Sequence, residues 1–398
     1  MTTALKLRER RPPFAGGFMA LAVLLVARTS VSFQFQSVAP LNALLEARFP
    51  LSLSGLGLLL GLYMAPGVII ALFLPTFTAR FGRTPSICAA FALMACGEFL
   101  LWRATGLEQA MVARLIAGTG GCVIYIATIN MVADLKTVIP SAARMGLIAA
   151  AWPFGNAMAL ALLGWLSHIA PELSTEVPFA LIIVSLAATG VLLILDREQG
   201  ALNHSPPSIV RWKRILGQIW KFALAFSLYN IAFIILTGFS GRILLDKGIQ
   251  SSVASSIAGI PMWMFLLSVP FGGVFAGKSH AGDRMLVALG CVGGAIAVLA
   301  SSIGSYQLPL YAIAGLLGGL PTAPLLQRAR TASDEGTEMT YSALFFVFFV
   351  VLIVLPPLAG RVADLTGSWT ILWIVAALLF IAAALFPAAT RQHPGPAI

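Results

Sequence analysis

Long, uncharged apolar runs recur along this chain, and they restrict its fold more than any other feature. The stretch TYSALFFVFFVVLIVLPPLAG, residues 340–360, carries no Asp, Glu, Lys, Arg or His, and neither does VPFALIIVSLAATGVLLIL, residues 177–195. Apolar runs of about 18 residues or more are long enough to span a bilayer. Inside a bilayer only helices and closed barrels satisfy their own backbone groups. The short segments of alternating polarity that build a membrane barrel are absent. The fold class read from the sequence is therefore all-α: a polytopic membrane protein with twelve transmembrane helices in two six-helix bundles. The spans fall at about 15–40, 54–78, 86–103, 108–133, 144–167, 177–195, 217–240, 252–276, 285–304, 308–327, 340–360 and 369–387. Composition agrees, because only 10% of residues are charged, whereas a soluble domain needs about a quarter.

The longest polar connection, residues 196–216, divides the chain into residues 1–195 and 217–398, read as an N-terminal bundle, a cytoplasmic linker and a C-terminal bundle. Of 25 Lys and Arg residues, 18 fall on the side of the N-terminus and linker. Five fall on the other side: Arg48, Arg103, Arg242, Lys247 and Arg361. Arg28 and Arg114 lie within spans. This asymmetry places both termini in the cytoplasm, and a bacterial inner (plasma) membrane is the expected location. It also accounts for the net charge of +10 without a nucleic-acid partner. The N-terminal run is too long for a cleaved signal peptide and contains Arg28, so it reads as the first span.

No metal, cofactor or nucleotide is expected. The four cysteines show no CxxC spacing, and the four histidines are scattered at loops and ends. Gly272, Gly277, Lys278 and Ser279 match a phosphate-loop spacing. They end an apolar helix instead of following a strand, so helix packing explains them better.

The connection between spans 2 and 3 reads PTFTARFGRTP. It resembles the signature of the major facilitator superfamily at that place, roughly Gly-x-x-x-Asp-Arg-x-Gly-Arg-Arg/Lys. Arg80, Gly82 and Arg83 match, and the resemblance implies a gating loop. Pro75 and Ala79 stand where the family has Gly and Asp, and Thr84 replaces the last basic residue, so the usual gating ion pair is weakened or made differently. The segment Gly273 to Arg284 in the second half keeps glycines with Lys278, Asp283 and Arg284. Span 4 carries Arg114 with Gly118 and Gly120 at +4 and +6, which resembles the family's second motif. The two halves also repeat one another: Gly164 aligns with Gly360, and His168 with Asp364. The resemblance covers essentially the whole chain. It implies an alternating-access carrier that works as a monomer in the bilayer on a small-molecule substrate. Arg28 midway along span 1, Trp152-Pro153-Phe154-Gly155 in span 5 and DLTGSWT before span 12 look like the cyanate and 2-nitroimidazole porter group.

Charges inside a bilayer are costly and mark functional sites. Three lie deep: Arg28, Glu98 and Arg114. Arg28, Ser32 and Gln36 share one face of span 1 and are expected to receive an anionic substrate. Glu98 and Arg114, on neighbouring antiparallel spans, are expected to pair, either to neutralise each other or to couple proton movement. Tyr125, Trp152, Asn156, Tyr229, Asn230 and Trp263 are further candidates for substrate contact. The reading from sequence is a secondary active transporter for a small organic or inorganic anion, with proton coupling. The alternative is an efflux porter for an amphiphilic compound or drug. No catalytic residue is expected, because helix-embedded clusters of His, Asp or Ser are absent.

Overall fold

The computed structural model describes residues 13–81, 83–135, 137–139, 141–170, 176–195, 209–303 and 307–386. They form helices α1 (Pro13–Gln36), α2 (Asn42–Glu46), α3 (Leu53–Met64), α4 (Gly67–Phe81), α5 (Arg83–Arg103), α6 (Leu107–Asp134), α7 (Ser141–Ile169) and α8 (Val177–Leu195). The second half follows with α9 (Ile209–Asp246), α10 (Ser251–Phe275), α11 (His280–Ile303), α12 (Gln307–Gly318), α13 (Thr322–Ala332), α14 (Thr337–Thr366) and α15 (Thr370–Leu385). Among the described residues ten crossings are long and apolar enough to span a membrane, and α8 and α15 supply two shorter ones. The chain is a twelve-helix membrane protein of two six-helix bundles.

Two crossings are broken where the sequence reading had continuous spans. Pro66 has no N–H to continue the ladder. Helix α3 therefore stops at Met64, and the ladder resumes with the Ile70 N–H on the Pro66 carbonyl, 2.9 Å. Pro321 does the same between α12 and α13, where Leu325 bonds back to its carbonyl at 3.0 Å. Helix α9 starts at Ile209, inside the stretch read as linker, and extends to Asp246. Residues 196–208 lie outside the described residues.

Large apolar side chains cover the outer surface: Phe18, Ile69, Phe73, Val184, Leu267 and Ile296 are all more than 60% exposed. Such a surface is satisfied by lipid, not by water. Inside, close helix approach falls to glycines, as membrane packing requires. A Cβ on Gly120 would lie 2.0 Å from the Ala90 carbonyl oxygen, and one on Gly118 would lie 1.8 Å from that of Tyr63. The glycines after Arg114 thus let α6 pack directly on α5 and on the end of α3.

The first bundle packs α1 against α6, α7 and α8, and α5 against α6 and α8. The second packs α9 against α10, α14 and α15, and α11 against α12 and α15. Across the interface α7 meets α10, and α3 and α4 meet α14.

Candidate functional site: a central cavity around Arg28

A cavity of about 780 Å³ lies between the bundles. Its inner end is walled by Arg28 of α1, Tyr125 of α6 and Trp152 of α7. From there it passes Phe226, Tyr229 and Asn230 of α9 and Phe345 of α14, and reaches Ala143 and Ala276 near the ends of α7 and α10 and Gln327 midway along α13. The buried cation Arg144 and the charged residues Lys278 and Arg328 lie beside them, which makes this the basic end. Pro153 and Pro270, each inside a helix, also line the cavity. A proline within a helix frees a carbonyl and bends the axis.

Helix α1 is pressed onto α7 at Gly155, where a Cβ would lie 1.9 Å from Ser32 Oγ and 2.4 Å from the Thr29 carbonyl. That contact sets Trp152, one turn earlier on α7, beside Arg28. The Arg28 guanidinium carbon sits 3.4 Å from the centroid of the Tyr125 ring and 5.7 Å from that of Trp152. Its Nη1 donates to the Tyr125 carbonyl, while Nε is buried with no partner. Among the described residues no carboxylate lies within ion-pair distance of Arg28. It is also the one charged side chain among the described residues that line the cavity. Aromatic faces hold a cation without neutralising it.

The other residues expected in the cavity divide. Tyr125, Trp152, Tyr229 and Asn230 line it. The Tyr229 hydroxyl lies 2.7 Å from that of Thr322, and the Asn230 amide donates to the Phe226 carbonyl, 2.8 Å. Ser32 and Gln36 are buried between helices: Ser32 donates to the Thr29 carbonyl, 3.0 Å, and Gln36 to the Thr237 carbonyl of α9, 3.4 Å. Asn156 is buried too. With its amide oriented to satisfy both neighbours, it donates to the Ser32 carbonyl, 2.8 Å, and accepts from the Trp152 indole N–H, 3.2 Å. Asn156 therefore steadies Trp152 from behind. Trp263 packs on Phe154, ring centroids 5.9 Å apart, away from the cavity. The cavity residues that the sequence did not single out include four phenylalanines, Phe226, Phe265, Phe345 and Phe348. No sequence signal separates these from lipid-facing phenylalanines.

Glu98 and Arg114 do approach each other, at 3.7 Å and fully buried. Arg114 also donates to the carbonyls of Leu59, Gln34 and Phe35 at 3.1, 2.9 and 2.7 Å, and stacks on Tyr63. Two of those carbonyls end α1, so the guanidinium caps that helix where its dipole is negative. Tyr63 donates to the Gln34 side chain, 2.8 Å, whose amide donates to the Met94 carbonyl, 2.9 Å. Both Glu98 oxygens lack a hydrogen-bond donor.

At the end opposite the basic one the bundles touch. A Cβ on Gly360 would lie 2.5 Å from the Leu53 carbonyl oxygen, and one on Gly164 would lie 2.5 Å from Ser255 Cβ. The Asp364 carboxylate accepts from the backbone N–H groups of Leu53 and Ser54, 3.1 and 2.9 Å. The Gln250 amide lies within 2.9 Å of the His168 ring nitrogens. Arg242 bonds to Glu46 and lies 3.5 Å from Asp246. The residues aligned as a repeat thus occupy matching positions: each end glycine meets a partner helix, and each polar residue four later meets that helix's first turn. The cavity is closed on this side and reaches the helix ends on the other.

At the basic end Asp283 is buried. It accepts from the Gly277 N–H, 2.9 Å, and pairs with Arg328. Gly277 has φ +79°, a conformation that favours glycine. This turn, in the second half, keeps the acid that Ala79 lacks in the first. Arg80 and Arg83 fall at the end of α4 and the start of α5, but their side chains, like the whole of Gly82, lie outside the described residues.

No curated protein matches the chain. The family model described as the Major Facilitator Superfamily matches residues 18–335. With that match over most of its length, twelve apolar helices in two bundles and a cavity between them, the chain belongs to the major facilitator superfamily and is a secondary transporter.

Proposed function

We propose that the protein carries a small anion across the membrane, with Arg28 as the group that receives it. The observation that carries this reading is a buried guanidinium with an unpartnered Nε and, among the described residues, no carboxylate within reach and no other charge in the cavity lining. A charge held in a low-dielectric site without a counter-ion is expensive, and a substrate anion supplies what the fold leaves out. Tyr125, Trp152, Tyr229 and Asn230 contact the substrate. Ser32, Gln36 and Asn156 hold α1 and α7 in register around it.

Residues 1–195 and 217–398 move as two bodies about this site, joined by the 196–216 linker. The bias of lysines and arginines supports termini in the cytoplasm, with the basic end facing inward. Arg80, Gly82 and Arg83 gate that side. Glu98, buried with both oxygens undonated, is the proton-coupling carboxylate, and Arg114 sets its charge state. The likeness to the cyanate and 2-nitroimidazole porters rests on Arg28, the Trp152–Gly155 stretch and residues 364–370 alone. The aromatic walls of the cavity favour efflux of an amphiphilic compound as the second reading.

Counterflow in proteoliposomes tests the proposal. Radiolabelled candidate anions should exchange through the native protein and not through Arg28→Gln, with Arg28→Lys recovering part of the rate. Full anion exchange by a folded Arg28→Gln protein would refute it. For coupling, Glu98→Gln should keep exchange but lose accumulation driven by a pH gradient.

A further inference from the structure

The walls of the cavity say more about the substrate than its charge. Between Arg28 and Tyr229 the rings form one unbroken series of contacts. Trp152 and Tyr125 lie 5.0 Å apart, Tyr125 and Phe345 5.0 Å, Phe345 and Phe226 6.0 Å, and Phe226 and Tyr229 5.7 Å, all near edge-to-face. The series starts on α6 and α7 in one bundle and finishes on α9 and α14 in the other. Every ring in it lines the cavity. Edge-to-face rings leave faces and slots that accept another flat ring.

The volume points the same way. At about 780 Å³ the cavity lies within the roughly 300–1,000 Å³ range of sites that enclose ligands of many atoms. An inorganic anion of three or four atoms at Arg28 would leave most of this space as water against aromatic surface, which is unfavourable. The single charge sets the substrate's net charge: among the described lining residues Arg28 has neither a second cation nor an acid beside it.

We infer that the transported anion is an organic monoanion with a flat apolar body, its carboxylate or equivalent group on Arg28 and its ring along the Tyr125–Phe345–Phe226 wall. This rests on the anion reading above and narrows it. A substrate of this form is recognised by both bundles at once: the charge by α1, the body by α9 and α14. A short inorganic anion would touch only the first bundle.

Calorimetric titration of the purified protein in nanodiscs separates the possibilities. The probes are benzoate, acetate, nitrate and cyanate, with benzamide and benzylammonium as neutral and cationic relatives of the first. Benzoate should bind about tenfold or more tighter than acetate, nitrate or cyanate, and benzamide and benzylammonium should fail. Phe345→Leu, with its thermal unfolding checked without ligand, should shrink the advantage of benzoate over acetate. Equal or tighter binding of acetate, nitrate or cyanate overturns the flat-body inference and leaves the anion reading standing. Binding of benzamide or benzylammonium as tight as that of benzoate overturns the anion reading itself. A folded protein that binds none of the anions overturns both.

Discussion

The Asp364 carboxylate, near the end of α14, accepts a 2.9 Å hydrogen bond from the backbone N–H of Ser54 at the start of α3. With the Leu53 N–H as a second donor, an acid of one bundle caps a helix of the other. A carboxylate on an exposed helix N-terminus is worth about 0.3–1 kcal/mol. That is enough to bias a two-state carrier without locking it.

Asp364→Asn removes the charge and keeps the shape. It should shift the carrier toward the state open at that end by about two- to fivefold. The reporter is a cysteine placed at Leu56, a buried residue beneath the contact, with Cys88, Cys96, Cys122 and Cys291 replaced. Its alkylation by a water-soluble maleimide should speed up. An unchanged rate would mean that Asp364 has no part in closing this end.

Arg114 and Glu98 should not be equivalent in stability. Arg114→Leu strands a buried carboxylate and leaves the carbonyls of Gln34, Phe35 and Leu59 without their donor, a loss of about 3–5 kcal/mol. Glu98→Gln keeps Arg114's three backbone contacts and should cost far less. Thermal unfolding in detergent will rank them, and the double variant should recover part of the Arg114→Leu loss. Equal losses from the two single changes would refute the capping role.

Two glycines should answer alanine in opposite directions. At Gly118 the added methyl would meet the Tyr63 carbonyl oxygen at 1.8 Å, so α3 and α6 must separate, at a cost of about 1–3 kcal/mol. At Gly217 nothing lies within 4 Å, and Gly217→Ala should stabilise α9 by about 0.5–1 kcal/mol. The measurement is again the unfolding midpoint. A neutral Gly118→Ala would contradict the close crossing.

At the basic end, outside the spans, Asp334 accepts from Arg214 and from Gln218, each at 2.6 Å. The hydrogen bond from Arg214, then that from Gln218, holds its pKa below the usual carboxylate value. A depressed carboxylate pKa contributes stability that is present above the unfolded value, about 3.9, and lost as pH falls through the lower folded value. Asp334→Asn should therefore lower the unfolding midpoint slightly at pH 7, with the difference from the native protein closing below about pH 4. A difference that grew in acid would reverse the assignment.

Much of this was legible in the sequence because a bilayer simplifies the physics. Long apolar runs, such as residues 340–360, have one solution, and a lone charge such as Arg28 must point inward. The pairing of Glu98 with Arg114 followed from two spans joined by a short turn. Rotation about a helix axis was harder to read. Ser32 and Gln36 share the face of Arg28, yet α1 ends at Gln36 and passes between α7 and α9 there, so the stripe leaves the cavity after one turn. The breaks at Pro66 and Pro321 were missed because proline inside an apolar run is equally compatible with a bent continuous helix, as at Pro153 and Pro270. The phenylalanines of the cavity look like those that face lipid, and only packing tells them apart.

The solitary charge in the cavity has an electrical consequence. With Arg28 unneutralised by any described side chain, the empty site is positive, and the monoanion proposed as substrate would bring it to zero. A membrane voltage therefore acts on the return of the empty carrier, and it leaves the loaded crossing nearly untouched when the anion crosses without a coupled proton. Moving a full elementary charge across the field costs about 2.3 kcal/mol per 100 mV, so even a fraction of that path makes turnover depend on the cell's polarisation. With the basic end inward, as proposed above, an interior-negative potential draws the empty positive site toward the state in which the cavity stands here, with its route to the basic end clear and the Asp364 side shut.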